Sequence, residues 1–252
     1  MNVLILGGTT EASAIAQALV DHPRVRPVLS LAGRTRAPVP PPVPARRGGF
    51  GGVDGLAGFL RVQNVAALID ATHPFAARIS QNAWTAARIA GVPSVAVSRP
   101  PWAAQPGDRW TEVPDMPAAA QALGAAPRRV FLTVGQQELG PFRMAPWHRY
   151  LIRSVEPPDP ALLPPSARCI AARGPFQEDA ERGLLSQESI EVVVTKNSGG
   201  TAVAPKLAAA RTLGIPVVVV ARPAAPPGET VPDAAEALAW LDHVIAPWKR
   251  GV

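Results

Sequence analysis

One stretch of fifteen residues occurs twice in this chain. Residues 86–100 read AARIAGVPSVAVSRP and residues 209–223 read AARTLGIPVVVVARP, 123 positions on, without a gap and with nine identities. The same offset sets Thr72 of DATHPF against Thr195 of VTKNSG, and so His73 against Lys196. Further out the register drifts but the order holds. NVLILGG answers to RVFLTVG, which pairs Gly8 with Gly135; GGFGG at 48–52 answers to RGPF at 173–176; TEVPDMPAAAQAL at 111–123 answers to ETVPDAAEALAWL at 229–241. A repeat of this length means one structural plan used twice. At 252 residues there is room for two small domains, which the repeat places at 1–125 and 126–252.

Within each half, short β-branched runs alternate with helix-length segments. Residues 3–6, 66–69, 95–97, 192–194 and 216–220 suit strands covered on both faces of a parallel sheet. Segments such as 11–20 and 75–90 suit helices, and Gly91 and Gly214 stand where a helix C-terminal glycine belongs. The expected fold class is therefore α/β, two similar Rossmann-like, doubly wound parallel-sheet domains. Ligands of such sheets lie beyond the carboxyl ends of the strands. Two facing sheets would gather four loops, residues 7–11, 71–75, 135–138 and 195–200, around one cleft. Whether each terminal helix packs on its own half or crosses to the other is open from the repeat alone.

Composition removes several classes. A hydrophobic share of 47% excludes general disorder, and a single cysteine, Cys169, excludes internal disulfides and cysteine-cluster metal sites. The four histidines are scattered without metal-ligand spacing, so no metal is expected. Lysine and arginine exceed aspartate and glutamate by 25 − 19 = 6, almost all as arginine, but no basic run marks a nucleic-acid arm. No apolar stretch approaches the ~20 residues of a membrane span. The expectation is a soluble, cytoplasmic protein without nucleic-acid or membrane partners, whose arginines suit carboxylates or phosphates. There is no GxSxG elbow, no Tyr-x-x-x-Lys dyad and no evident carboxylate pair.

The loops then carry the functional reading. Gly7, Gly8, Thr9, Thr10 and Glu11 follow the first strand and open a helix, where glycines and a helix N-terminus favour a phosphate; a plain turn capped by Thr10 fits equally. The next strand ends in Ser30 and reaches Arg34 with no acidic residue, which suits the 2′-phosphate of NADP better than the bare ribose of NAD. Arg34 as an ordinary solvated arginine is the alternative. Asp70, Thr72, His73, Pro74 and Phe75 put a carboxylate at a strand end, a histidine at the cleft and a proline at helix position N1. Against that, Asp70 could bond backbone amides and His73 could cap. Thr195, Lys196, Asn197, Ser198, Gly199 and Gly200 form a dense polar loop suited to phosphate or carboxylate, with Asn197 or Ser198 as a helix cap the plainer reading.

Taken together, LILGGTTEA, SLAGR, GGFGG, DATHPFA, SRPPW, FLTVG, RGPF and TKNSGG with KLAAARTLGIPVVVVARP resemble the precorrin-6A reductase family of cobalamin biosynthesis, in order over nearly the whole chain. The resemblance implies NADPH as cofactor and a tetrapyrrole substrate, with hydride delivered to C19 and a proton to C18 of the macrocycle to give precorrin-6B. It includes the cobalt-precorrin-6A reductases and leaves room for contact with neighbouring pathway enzymes; the oligomeric state is open. The loop reading above puts Gly7, Gly8, Thr9, Thr10, Glu11, Ser30, Arg34, Gly135, Lys196, Asn197 and Ser198 with the cofactor, and which loop holds which ligand is open. Thr72, His73, Pro74, Phe75, Thr195, Lys196, Gly199 and Gly200 go with the substrate, and His73, opposite Lys196 in the repeat, is expected either to donate the proton or to order the water that does. Gln136, Gln137, Glu138 and Leu139, after FLTVG, depart from the family pattern. Another NADP-dependent reductase or epimerase, or a non-catalytic NADP-sensing module, are the competing readings.

Overall fold

The structure, a computed structural model, describes residues 1–33, 40–225 and 227–246. The first sheet is built from β1 (Asn2–Leu6), β2 (Arg26–Leu31), β3 (Ala45–Arg47), β4 (Val65–Asp70) and β5 (Ser94–Val97). The second is built from β7 (Arg129–Thr133), β8 (Arg149–Ser154), β9 (Ala167–Ala171), β10 (Val192–Lys196) and β11 (Val217–Val220). Each has a sixth strand, β12 (Thr230–Val231) or β6 (Trp110–Val113). The orders are β12-β5-β4-β1-β2-β3 and β6-β11-β10-β7-β8-β9, the same plan twice, and the pairings are parallel. The repeated segments at 86 and 209 adopt the same structure, a helix end followed by a strand.

Alternation along β1 explains how one strand is covered twice. Val3 and Ile5 meet Ile15 and Leu19 of the α1 side (α1, Thr10–Ala18) and Leu241 and Ile245 of α7 (Ala234–Ile245). Leu4 and Leu6 meet Leu56 and Leu60 of α2 (Gly52–Val62) and Ala83 and Ala87 of α3 (Ala77–Ala90). Period-two side chains between two helical layers are the signature of a doubly wound sheet. In the second sheet Phe131, Val193 and Val219 meet Leu185 of α5 (Glu178–Gln187) and Leu207 of α6 (Pro205–Thr212). Gly91 ends α3 at φ +68 and Gly214 follows α6 at φ +65, both left-handed as their C-terminal positions require.

The linear boundary at residue 125 is corrected. One unit comprises Met1–Pro100 with the chain from Pro223 onward, and the other Pro101–Arg222. After β5 the chain leaves its own sheet, and Trp110 to Val113 of β6 pair with Val217 to Val220 of β11. After β11 it returns, and Thr230 and Val231 of β12 pair with Ala96 and Val97 of β5. Helix α4 (Met116–Ala122) follows β6, and α7 follows β12. Each closing piece completes the other half's sheet, and their likeness in sequence cannot say which sheet a piece joins. Among the described residues, no helix is long and apolar enough to cross a membrane.

Candidate functional site

At the carboxyl end of β1, a Cβ on Gly7 would stand 2.6 Å from Leu29 Cδ1, and Gly8 takes φ +116. A side chain at Gly7 would therefore have to displace the Leu29 methyl, and one at Gly8 would be strained by its backbone conformation. Thr9, not Thr10, caps α1. Its Oγ1 accepts from Ala12 N at 3.1 Å and donates to Ala71 O at 2.6 Å, which ties the loop after β1 to the loop after β4. Thr10 instead donates to Glu11 Oε2 at 3.0 Å. Arg99, just past β5, reaches both Glu11 oxygens at 2.7 Å. Burial pushes the Glu11 carboxyl up, but the Arg99 bond and charge and a backbone amide outweigh it and hold it below the usual range.

Ser30 is buried at the end of β2, and its Oγ accepts from Arg46 Nη1 at 2.9 Å. Arg46 also donates to Gly48 O at 3.0 Å and Gly49 O at 2.9 Å, and its guanidinium lies 3.8 Å from the Phe50 ring centroid. The arginine bonded to Ser30 is thus one that sequence reading passed over, on the neighbouring strand β3. Arg34 lies outside the described residues.

At the end of β4, buried Asp70 accepts from Thr72 N at 3.1 Å and Thr72 Oγ1 at 2.7 Å, the backbone-bonding alternative. His73 closes its own turn: Nδ1 accepts from Phe75 N at 3.2 Å and its carbonyl accepts from Ala76 N at 2.7 Å. That separate turn delays the helix, so α3 starts at Ala77 and Pro74 is not at N1. In the first unit, residues 7–11, Ser30 and residues 72–75 therefore all stand at the carboxyl ends of β1, β2 and β4.

The second unit gathers Gly135 and residues 195–200 at the ends of β7 and β10. Lys196 Nζ lies 2.8 and 3.1 Å from the two oxygens of Glu138, which also accepts Gly135 N at 2.7 Å. The unmatched segment 136–139 is thus a short 3-10 turn that presents a counterion. Glu138 stands as far after Gly135 as Glu11 stands after Gly8, so corresponding glutamates each hold a cation. Asn197 caps no helix: Oδ1 accepts Trp102 N at 2.7 Å and Nδ2 donates to Trp102 O at 2.9 Å. Nor does Ser198, since α6 begins at Pro205 after Ala204. Thr195 and Ser198 are buried, Gly199 takes φ +69, and Gly200 leads into the turn Thr201–Val203. Sequence reading also missed Arg99, although it repeats as Arg222, whose Nε donates to Asn197 O at 2.7 Å.

Two parallel six-stranded sheets with polar loops at their strand ends define a Rossmann-like α/β protein. Residues 2–242 match the family described as Precorrin-6x reductase CbiJ/CobK. The chain belongs to that family. It is 50% identical over 251 residues to the precorrin-6A reductase of Rhodobacter capsulatus, covering 99% of each chain. It is 51% identical over 245 residues to that of a Sinorhizobium species, covering 97% of this chain and 94% of the other. A solved structure called CobK precorrin-6A reductase superposes with a TM-score of 0.91 at 49% identity, over 97% of both chains.

Proposed function

We propose that this protein is a precorrin-6A reductase of cobalamin biosynthesis, which reduces one macrocycle double bond of precorrin-6A with NADPH to give precorrin-6B. The observation that carries the reading is the match to relatives of that name at about half identity over both full lengths. Relatives named precorrin-6A reductase share 42–51% identity, whereas those named cobalt-precorrin-6A reductase share 30–34%, which favours the metal-free substrate.

The first unit's residues suit a dinucleotide. The bare backbone at Gly7 and Gly8 and the N-terminus of α1 would take the pyrophosphate, and Ser30 with Arg46 would take a 2′-phosphate. When bound, NADPH supplies the hydride. In the second unit, Lys196 and the amides of Gly199 and Gly200 suit the carboxylates of a tetrapyrrole; in the first, residues 72–75 are the substrate candidates. Because His73 Nδ1 accepts a backbone bond, its proton belongs on Nε2. In that tautomer His73 serves by ordering the water that protonates C18.

The test is direct: purified protein, precorrin-6A, and NADPH or NADH, with cofactor oxidation followed by absorbance and the product by mass. Oxidation of NADPH in step with a gain of two hydrogens is expected, with NADH poorer. An unchanged product mass would overturn the reading.

A further inference from the structure

A buried charged cluster adjoins the 195–204 segment. Lys206, at the second position of α6, is only 2% exposed; its Nζ donates to Val203 O at 2.7 Å and lies 4.8 Å from the Trp102 ring centroid. Arg153 on β8 and Glu181 on α5 are both buried and form an ion pair. The Arg153 guanidinium is 3.7 Å from the Phe176 ring centroid, and Phe176 N donates to Ala202 O at 3.0 Å. Glu181 Oε2 is buried without a hydrogen-bond partner among the described residues.

These contacts hold one short stretch of chain from three sides. Asn197 grips the main chain of Trp102, Phe176 grips Ala202, and Lys206 grips Val203 while facing the Trp102 ring. Between those anchors run Ser198, Gly199 and Gly200, the polar loop at the mouth of β10. A buried ammonium is costly, and an apolar residue would fill the same space without that cost. We propose that Lys206 is a positioning residue for ligand binding by this loop, and that it holds the loop through Val203 and Trp102 only while it carries its proton.

The charge balance of the cluster supports this. With Lys206 protonated, two cations face one carboxylate and the cluster is positive; without that proton it is neutral. Burial pushes the Lys206 ammonium down to about 7, Arg153 pushes the same way, and Glu181 opposes both; these are the charged groups acting on it from β8 and α5. A neutral amine loses its attraction to the Trp102 face and donates more weakly to Val203. Anion binding on the loop above favours the protonated state, so ligand and proton assist one another.

The experiment has a ligand-free arm and a kinetic arm, and only the second rests on the function proposed above. In the first, fluorescence of the intact protein is titrated with alkali against Trp102→Phe as the reference. One transition near neutral pH is expected from Trp102, absent in Lys206→Met. In the second, KM for precorrin-6A is measured with NADPH from pH 6 to 9. The native enzyme should lose affinity roughly tenfold above neutrality at nearly constant kcat. Lys206→Met should show the high KM throughout, and Lys206→Arg, charged at every pH, the low one. A Lys206→Met protein that folds by circular dichroism yet keeps the native KM and pH profile overturns the proposal, as does a Trp102 signal indifferent to pH. If Lys206→Arg does not fold, the Met variant and the fluorescence titration decide. A native protein that turns over no precorrin-6A defeats the function reading and leaves the Trp102 titration to judge Lys206.

Discussion

Under the proposed function, Arg46 would tie cofactor choice to local structure. It is fixed on Ser30, two glycine carbonyls and the Phe50 ring, so its remaining donors are held in place before any ligand arrives. An arginine–phosphate contact is worth roughly 1.5–3 kcal/mol, about ten- to 150-fold in affinity. Arg46→Met should therefore weaken NADPH by that factor in a fluorescence titration and leave NADH nearly unchanged. Equal losses for both cofactors would mean that the substitution merely loosened the 48–50 turn. His73 is tested by different parameters. His73→Gln should lower kcat by ~10²-fold while NADPH affinity stays within about twofold; full turnover would leave His73 only its turn. Sequence reading singled out Ser30 but not the arginine bonded to it. Arg34 is near Ser30 along the chain, whereas Arg46 is near it across two strands, and one sequence does not print strand pairings.

At the scale of elements, the apolar runs and helix-ending glycines placed strands and helices well, because a buried parallel strand and a left-handed C-terminus each demand particular residues. The starts of helices were less legible. Thr9 and Thr10 are equally good caps on paper, and a contact with Ala71, distant in sequence, accompanies the choice of Thr9. The segment after β7 forms 3-10 turns where the first unit has α1, and Gly140 with Pro141 explains why no α-helix continues there. Helix α7 offers the clearest test of packing. Leu241 is 2% exposed in the core formed with β1 and α1, so Leu241→Ala should cost ~2–5 kcal/mol by denaturant unfolding. A loss under ~1 kcal/mol would mean that α7 contributes little to the first unit.

For the molecule as a whole, the buried lysine sets a pH slope. An unfolded lysine titrates near 10.4, and Lys206 in the folded chain near 7, so between those values the unfolded chain binds more protons. Stability from this group therefore rises with pH across that window. At pH 6 and below, the folded chain carries the full penalty, at most about 5 kcal/mol. Lys206→Met should melt higher than the native chain at pH 6, and the gap should close toward pH 10. A gap constant with pH would mean that Lys206 is not the group responsible. The fold class and the twofold plan were readable at this scale, because duplication repeats its own pattern. The pairing of β6 with β11 and of β12 with β5 was not, since the two closing pieces are interchangeable by sequence.

That reciprocal exchange has a consequence for proteolysis. The chain passes between the units twice, at Pro100–Pro101 and at Arg222–Pro223, so a nick at either place leaves a covalent path through the other. A cut between Pro100 and Pro101 yields a larger fragment that still donates β12 to the ladder, where Ala96 N reaches Glu229 O at 2.9 Å and Ser98 N reaches Val231 O at 2.8 Å. With a protease site engineered there, the two pieces should elute together on gel filtration and separate only in denaturant; separation in buffer would mean the inserted strand and helix do not hold. By the same token, a gene fragment ending at codon 125 encodes neither unit, because each sheet waits for a strand that the other half of the message supplies.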